Sequence, residues 1–196
     1  MALPQPDPVV LRKAQRGDQD AFAAIMRQYE RAVFTYVLRI VRDRPLAEDL
    51  TQEIFFRAFR SLKRFSSKSL FTTWLFQLAR NRVIDELRAI ERRPRGVDLE
   101  QVPTLRTAEM PADVRETVDA VWRAVGSLNA DLKMALLLRD VVGLSYEEIA
   151  DTLEITLSTV KWRIYVARDR VQRALADEGL TLTRAASSRQ AGSAHR

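Results

Sequence analysis

Between Arg64 and Arg88, four aromatic side chains, Phe65, Phe71, Trp74 and Phe76, sit among five cations: Arg64, Lys68, Arg80, Arg82 and Arg88. Rings beside cations suit unpaired nucleic acid. Bases stack on the rings at about 1–3 kcal/mol each, and cations follow the backbone. A polar amide such as Asn81 can bond the edge of a base drawn out of the stack. The helical spacing of Phe71 and Trp74 fits packing as readily as stacking. Phe65, beside the polar connector 66–69, and Asn81 therefore lead a set completed by Lys68, Trp74, Arg80 and Arg82.

A second chemistry-bearing stretch lies near the C-terminus. Val160, Ile164, Ala167 and Val171 follow a 4-3-4 spacing and define an inner face. Lys161, Trp162, Tyr165 and Arg168 fall on the opposite side, with Ser158 and Thr159 at the helix start. Five basic residues against the single acid Asp169 concentrate positive charge where duplex DNA could dock. The alternative is an ordinary amphipathic helix with a solvated basic face. A third set, Asp49, Gln52, Glu53 and Phe56, places an apolar side chain at the centre of an acidic face. Such a face suits a basic partner helix, unless Phe56 turns inward.

Several chemistries are excluded or unsupported. The chain has no cysteine, which removes disulfides and thiol-based metal sites. Its one histidine, His195, stands in a polar tail. Neighbouring carboxylates, Asp85/Glu86 and Glu147/Glu148, point in different directions on a helix. With no Gly-rich phosphate loop or nucleophile–base pattern either, no enzymatic activity, metal or cofactor is expected.

The elements that must position these residues read as helices. Asp18 can cap a helix carrying Phe22, Ile25, Met26, Tyr29 and Val33. Pro45 fits the first turn of the next, with Leu46, Leu50, Ile54 and Ala58 as its stripe. A third helix is expected over about 70–90, and Val118, Val121, Val125 and Leu128 mark a fourth. An apolar helix, 133–142, stops at Gly143. The segment LSYEEIADTL opens with a capping box, Ser145 and Glu148. A break over 154–157 precedes the final helix, about 158–175. A short capped helix, a tight turn and a basic helix make a helix-turn-helix pattern.

The fold class expected is therefore all-α, with domains at 1–93 and 117–178, a flexible linker at 94–116 and a disordered tail at 179–196. The net charge of +6 is uneven: residues 11–93 carry 18 basic against 10 acidic side chains. A basic N-terminal half suits a polyanion. Neither a signal peptide nor a membrane-spanning run is expected, which points to the cytoplasm.

The stretches GLSYEEIA and STVKWRIYVAR resemble region 4 of bacterial sigma-70 factors, which binds the −35 promoter element. RGDQDAFAAIMRQYE, AEDLTQEIFFRAF and FTTWLFQLARNRVIDELR resemble region 2, and the two-region layout is similar to the extracytoplasmic-function group. The resemblance implies a specificity subunit that binds core RNA polymerase through Asp49, Gln52, Glu53 and Phe56. It implies duplex −35 contacts from the final helix and capture of the melted −10 non-template strand by the aromatic–basic segment. An anti-sigma partner and a free monomer are also implied. Asn129 stands where the family usually has proline, and Glu154 where a turn glycine is common. Glycine tolerates positive φ better than glutamate does.

Two other readings remain at this stage. A stand-alone helix-turn-helix regulator accounts for 117–178 but not for 11–93, and would bind DNA tightly without polymerase, typically as a dimer. A nuclease or recombinase would need a metal or nucleophile arrangement that the sequence does not display.

Overall fold

The computed structural model describes residues 3–66, 69–92 and 111–180. Among them every regular element is helical, in two groups. The first helix, α1 (Pro8–Gln15), precedes the expected start. Asp7 caps it, its Oδ1 accepting from the Val9 and Val10 amides at 2.7 and 3.1 Å, with Pro8 in the first turn. That Asp-Pro pair was a legible signal.

Asp18 caps α2 (Gln19–Val41), accepting from the Ala21 amide at 3.0 Å. Asp43 caps α3 (Arg44–Ser61) in the same way through the Leu46 amide at 2.9 Å, and Pro45 occupies its first turn. The expected stripe of Leu50, Ile54 and Ala58 is buried against α2 residues that include Ile25, Val33 and Val37. A 3-10 turn, Leu62–Arg64, leads towards α4 (Phe71–Arg92). The N-terminal strap clamps the start of α4. Gln5 accepts from the Phe71 amide at 2.9 Å and donates to Thr72 Oγ1 at 2.8 Å, while the Tyr29 hydroxyl donates to the Pro4 carbonyl.

In the second group α5 (Ala112–Gly126) begins inside the stretch expected as linker, directly after Pro111, where proline no longer interrupts a helix. Residues 94–110 and the tail from 181 lie outside the described residues. Asn129, in the family's proline position, caps α6 (Ala130–Leu137) by accepting from the Leu132 amide at 3.0 Å. That cap starts the helix three residues ahead of the expected Lys133.

A π-helical turn, Leu138–Val142, ends at Gly143, whose φ of 87° is a conformation glycine adopts freely. The capping box of α7 (Tyr146–Leu153) is formed. Ser145 Oγ accepts from the Glu148 amide at 3.1 Å, and Glu148 accepts from the Ser145 amide at 2.7 Å. Thr156 caps α8 (Leu157–Asp177). Val160, Ile164, Ala167 and Val171 face the core as the spacing predicted.

The two groups touch. Helix α4 lies along α7, and α2 meets α6 and the π-helical turn. Arg39 of α2 stacks its guanidinium over the Trp122 ring of α5 at 3.6 Å.

Ile54 is fully buried, so its replacement leaves a cavity that the helices can only partly close. Ile54→Ala should cost about 2–5 kcal/mol, read as a lower urea midpoint by circular dichroism.

Candidate nucleic-acid and partner interfaces

On α3 the acidic set shares one open face. Asp49, Gln52, Glu53 and Phe56 are all exposed, and the Phe56 ring keeps 60% of its surface in solvent. The inward-turned alternative does not occur. Phe22, Met26, Phe55 and Phe59 line a shallow apolar groove with Phe56, between α2 and α3. The Arg60 guanidinium lies over the Phe56 ring at 5.5 Å, and Asp49 and Glu53 stand on the same helix face.

Glu53 does not face solvent alone. The Arg82 Nε of α4 donates to it, and the Arg82 Nη2 donates to Glu86 at 2.9 Å. The hydrogen bond from Arg82 holds the Glu53 carboxyl below its usual range, and the same bond raises Arg82. The α3 face and the α4 cation set are thus joined by one guanidinium.

Along α4 the candidates separate. Asn81 is exposed and accepts from Arg80 Nη1 at 3.0 Å. Arg80 also donates to Glu154, and Trp74 is half-buried. Phe65, expected as a stacking platform, is instead buried at 8% exposure. Its ring packs on Phe71 and Trp74 with centroids 5.7 and 5.1 Å away, so it presents no open face to a base here. A connector that is polar in sequence still lets its flanking phenylalanine fold back onto α4. Lys68 lies outside the described residues.

The recognition face of α8 is open at its centre. Lys161 is exposed, and Trp162 and Tyr165 leave 59% and 73% of their surfaces uncovered. Two large aromatics held in water on one helix face are costly without a partner. Arg168 is engaged: it forks onto Asp140 with distances of 2.6 and 3.3 Å, and that pairing raises its pKa. Arg163 likewise donates to Asp131 at 2.7 Å. Ser158 and Thr159 hydrogen-bond to the capping Thr156, which fixes the first turn where phosphates would approach.

Sequence reasoning missed the buried pair Tyr36 and Arg39. Neither the Tyr36 hydroxyl nor the Arg39 Nε has a hydrogen-bond partner among the described residues. Burial lowers Arg39 to about 10, partly opposed by Asp119. Periodicity gave no hint of Arg39, because an arginine on an apolar stripe has the same spacing as a core residue.

Comparison with known proteins gives concordant matches over both helical groups. The family models Sigma-70 region 2 and Sigma-70, region 4 match residues 25–93 and 119–171. The RNA polymerase sigma-H factor of Pseudomonas aeruginosa is 34% identical, over 89% of this chain and 96% of that protein. The ECF RNA polymerase sigma-E factor of Escherichia coli K12 is 35% identical over 84% and 92%. Among solved structures, the sigma factor RpoE bound to the anti-sigma factor NepR, from Bartonella quintana, superposes with a TM-score of 0.70. It is 26% identical and covers 79% of this chain and 96% of that one. CnrH in complex with the cytosolic domain of CnrY shares the fold, with a TM-score of 0.66, 22% identity, and coverage of 88% and 98%.

The matched spans contain all three candidate faces, while α1 and the strap lie outside them. Because Phe56 packs so little of its ring, Phe56→Ala should leave folding stability within about 0.5 kcal/mol of the parent, measured by urea denaturation.

Proposed function

The chain belongs to the sigma-70 family as an RNA polymerase sigma factor of the extracytoplasmic-function type, and we propose how its surfaces divide the work of promoter recognition. Residues 1–93 form the unit that docks on core polymerase and captures the melted −10 strand. Residues 117–178 read the −35 duplex, 94–116 connect the two, and 179–196 form a tail. The protein acts in the cytoplasm and depends on core polymerase for its specificity. No helix among the described residues is long and apolar enough to cross a membrane.

The observation that carries this reading is the exposure of Phe56 beside an apolar groove, on the opposite side of α3 from the buried Leu50/Ile54 stripe. Asp49, Gln52 and Glu53 supply the polar rim, and a basic helical segment of the polymerase would seat against it. On α4, Asn81 is the base-edge reader, with Arg80 and Arg82 beside the backbone and Trp74 as the partly open ring. Phe65 supports Trp74 from beneath. On α8, Lys161, Trp162, Tyr165 and Arg168 face the major groove, and Ser158 and Thr159 sit at the phosphate-facing end. Kinship with chains solved in anti-sigma complexes supports an anti-sigma partner for this one as well.

In transcription assembled from core enzyme and this chain on a fragment library, promoter-specific initiation is expected only when both are present. Glu53→Lys should raise the core dissociation constant by about tenfold or more, the cost of a like charge at a docking rim. Unchanged affinity would remove the docking assignment. Asn81→Ala should slow open-complex formation with core binding retained, read by permanganate footprinting. Lys161→Ala should weaken −35 binding by the holoenzyme uniformly across sequences and flatten its logarithmic salt slope by about 1.

A further inference from the structure

The N-terminal strap and α1 hold one stretch of the chain at both of its ends. At the near end, Gln15 Nε2 of α1 donates to the Phe65 carbonyl at 3.0 Å and to the Leu62 carbonyl at 3.5 Å. At the far end, Gln5 Oε1 accepts from the Phe71 amide at 2.9 Å, and its Nε2 donates to Thr72 Oγ1 at 2.8 Å. The residue before Phe71 is Leu70, which has no side-chain oxygen with which to cap α4. The first amide of that helix is instead satisfied by a side chain 66 positions away.

The strap is itself anchored. The Tyr29 hydroxyl and Gln28 Nε2 both donate to the Pro4 carbonyl, at 2.5 and 2.9 Å. The buried Tyr29 ring packs on Phe71 with centroids 5.3 Å apart. Phe71 continues onto Phe65 and Trp74, and those two onto each other, so the four rings run without a break from the core to the half-buried Trp74. Both glutamine contacts fall on the residues that carry the two phenylalanines of this cluster.

Hydrogen bonds from the exposed Gln5 and the half-buried Gln15 add little to stability beside the burial of those rings. What they add is direction. Trp74 stands one turn into α4, its amide bonded to the Leu70 carbonyl at 3.1 Å, so the start of that helix sets where the indole faces. A binding constellation needs its side chains held to within about 0.5 Å. We propose that the strap and α1 are a clamp for strand capture, in which Gln5 and Gln15 are positioning residues that set where Trp74 meets an unpaired base. The inference rests on α4 being the side that takes the −10 strand. Residues 5 and 15 both precede the matched region 2 span, which begins at residue 25.

The test uses the full chain with core enzyme on a promoter recovered from the fragment library. Opening is read by permanganate reactivity, core affinity by titration and folding by urea denaturation. Gln5→Ala and Gln15→Ala should each slow opening by about three- to tenfold, with core affinity within about twofold of the parent. The two glutamate variants should part company. Gln5→Glu keeps an acceptor for the Phe71 amide, at a helix N-terminus where negative charge is favourable, and should open at the parent's rate. Gln15→Glu loses the donor and turns a carboxylate towards two carbonyls, so it should be at least as slow as Gln15→Ala.

A role confined to stability would lower the urea midpoint and core affinity in step with opening in all of these variants, and that result would overturn the clamp. Trp74→Ala supplies the reference. If it slows opening while both alanine variants of the glutamines match the parent, the clamp falls alone. If Trp74→Ala also opens at the parent's rate, the −10 reading falls and takes the clamp with it.

Discussion

A helix that presents arginines to a polyanion must put those charges somewhere when the polyanion is absent. In this chain they go onto its own carboxylates. Arg80 meets Glu154, Arg82 meets Glu53 and Glu86, Arg163 meets Asp131 and Arg168 meets Asp140. Apart from Arg82–Glu86, which is largely buried, these are partly exposed pairs that add little to stability, about 0–1 kcal/mol. Their larger effect is on geometry: they pre-shape guanidinium forks that a phosphate or base edge can take over. DNA binding by such a surface is an exchange of anions rather than the filling of a vacant one.

This exchange links the three faces. Arg82 ties Glu53 of α3 to α4, so under the proposed division of work the docking face and the strand-capture face draw on one guanidinium. Withdrawing Glu53 towards a basic partner would release Arg82 for the backbone of the strand. At the other end, Asp140 steadies Arg168 from the π-helical turn, and Asp131 steadies Arg163 from α6. The core of the second group therefore orients the recognition helix by charge as well as by packing.

Most of the helical frame was legible because its signals are local. Asp18 and Ser145 cap where their spacing said they would, Pro45 sits in the first turn of α3, and the α8 apolar stripe is buried as written. The exposure of Phe56 followed from its place opposite Leu50 and Ile54. What escaped depends on contacts distant in sequence. Phe65 looked open beside serines but folds onto Phe71 and Trp74. Arg39 was given no role by the sequence, because the ring it stacks on, Trp122, lies more than eighty positions away. The pairing of Arg80 with Glu154 has no periodic signature at all. Asn129 and Glu154, noted as departures from the family pattern, each do local work: one caps α6, the other turns the chain into α8.

The tryptophans are distributed so that each senses something different. Trp74 is half-buried in the Phe65/Phe71 cluster, Trp122 lies beneath a guanidinium where the two groups meet, and Trp162 stands in water on the recognition helix. The chain is thereby its own optical instrument. Emission from these three indoles, separated by replacing two at a time with phenylalanine, reports separately on the Phe65/Phe71 cluster, the Arg39 stack and the open face of α8 in an unlabelled protein.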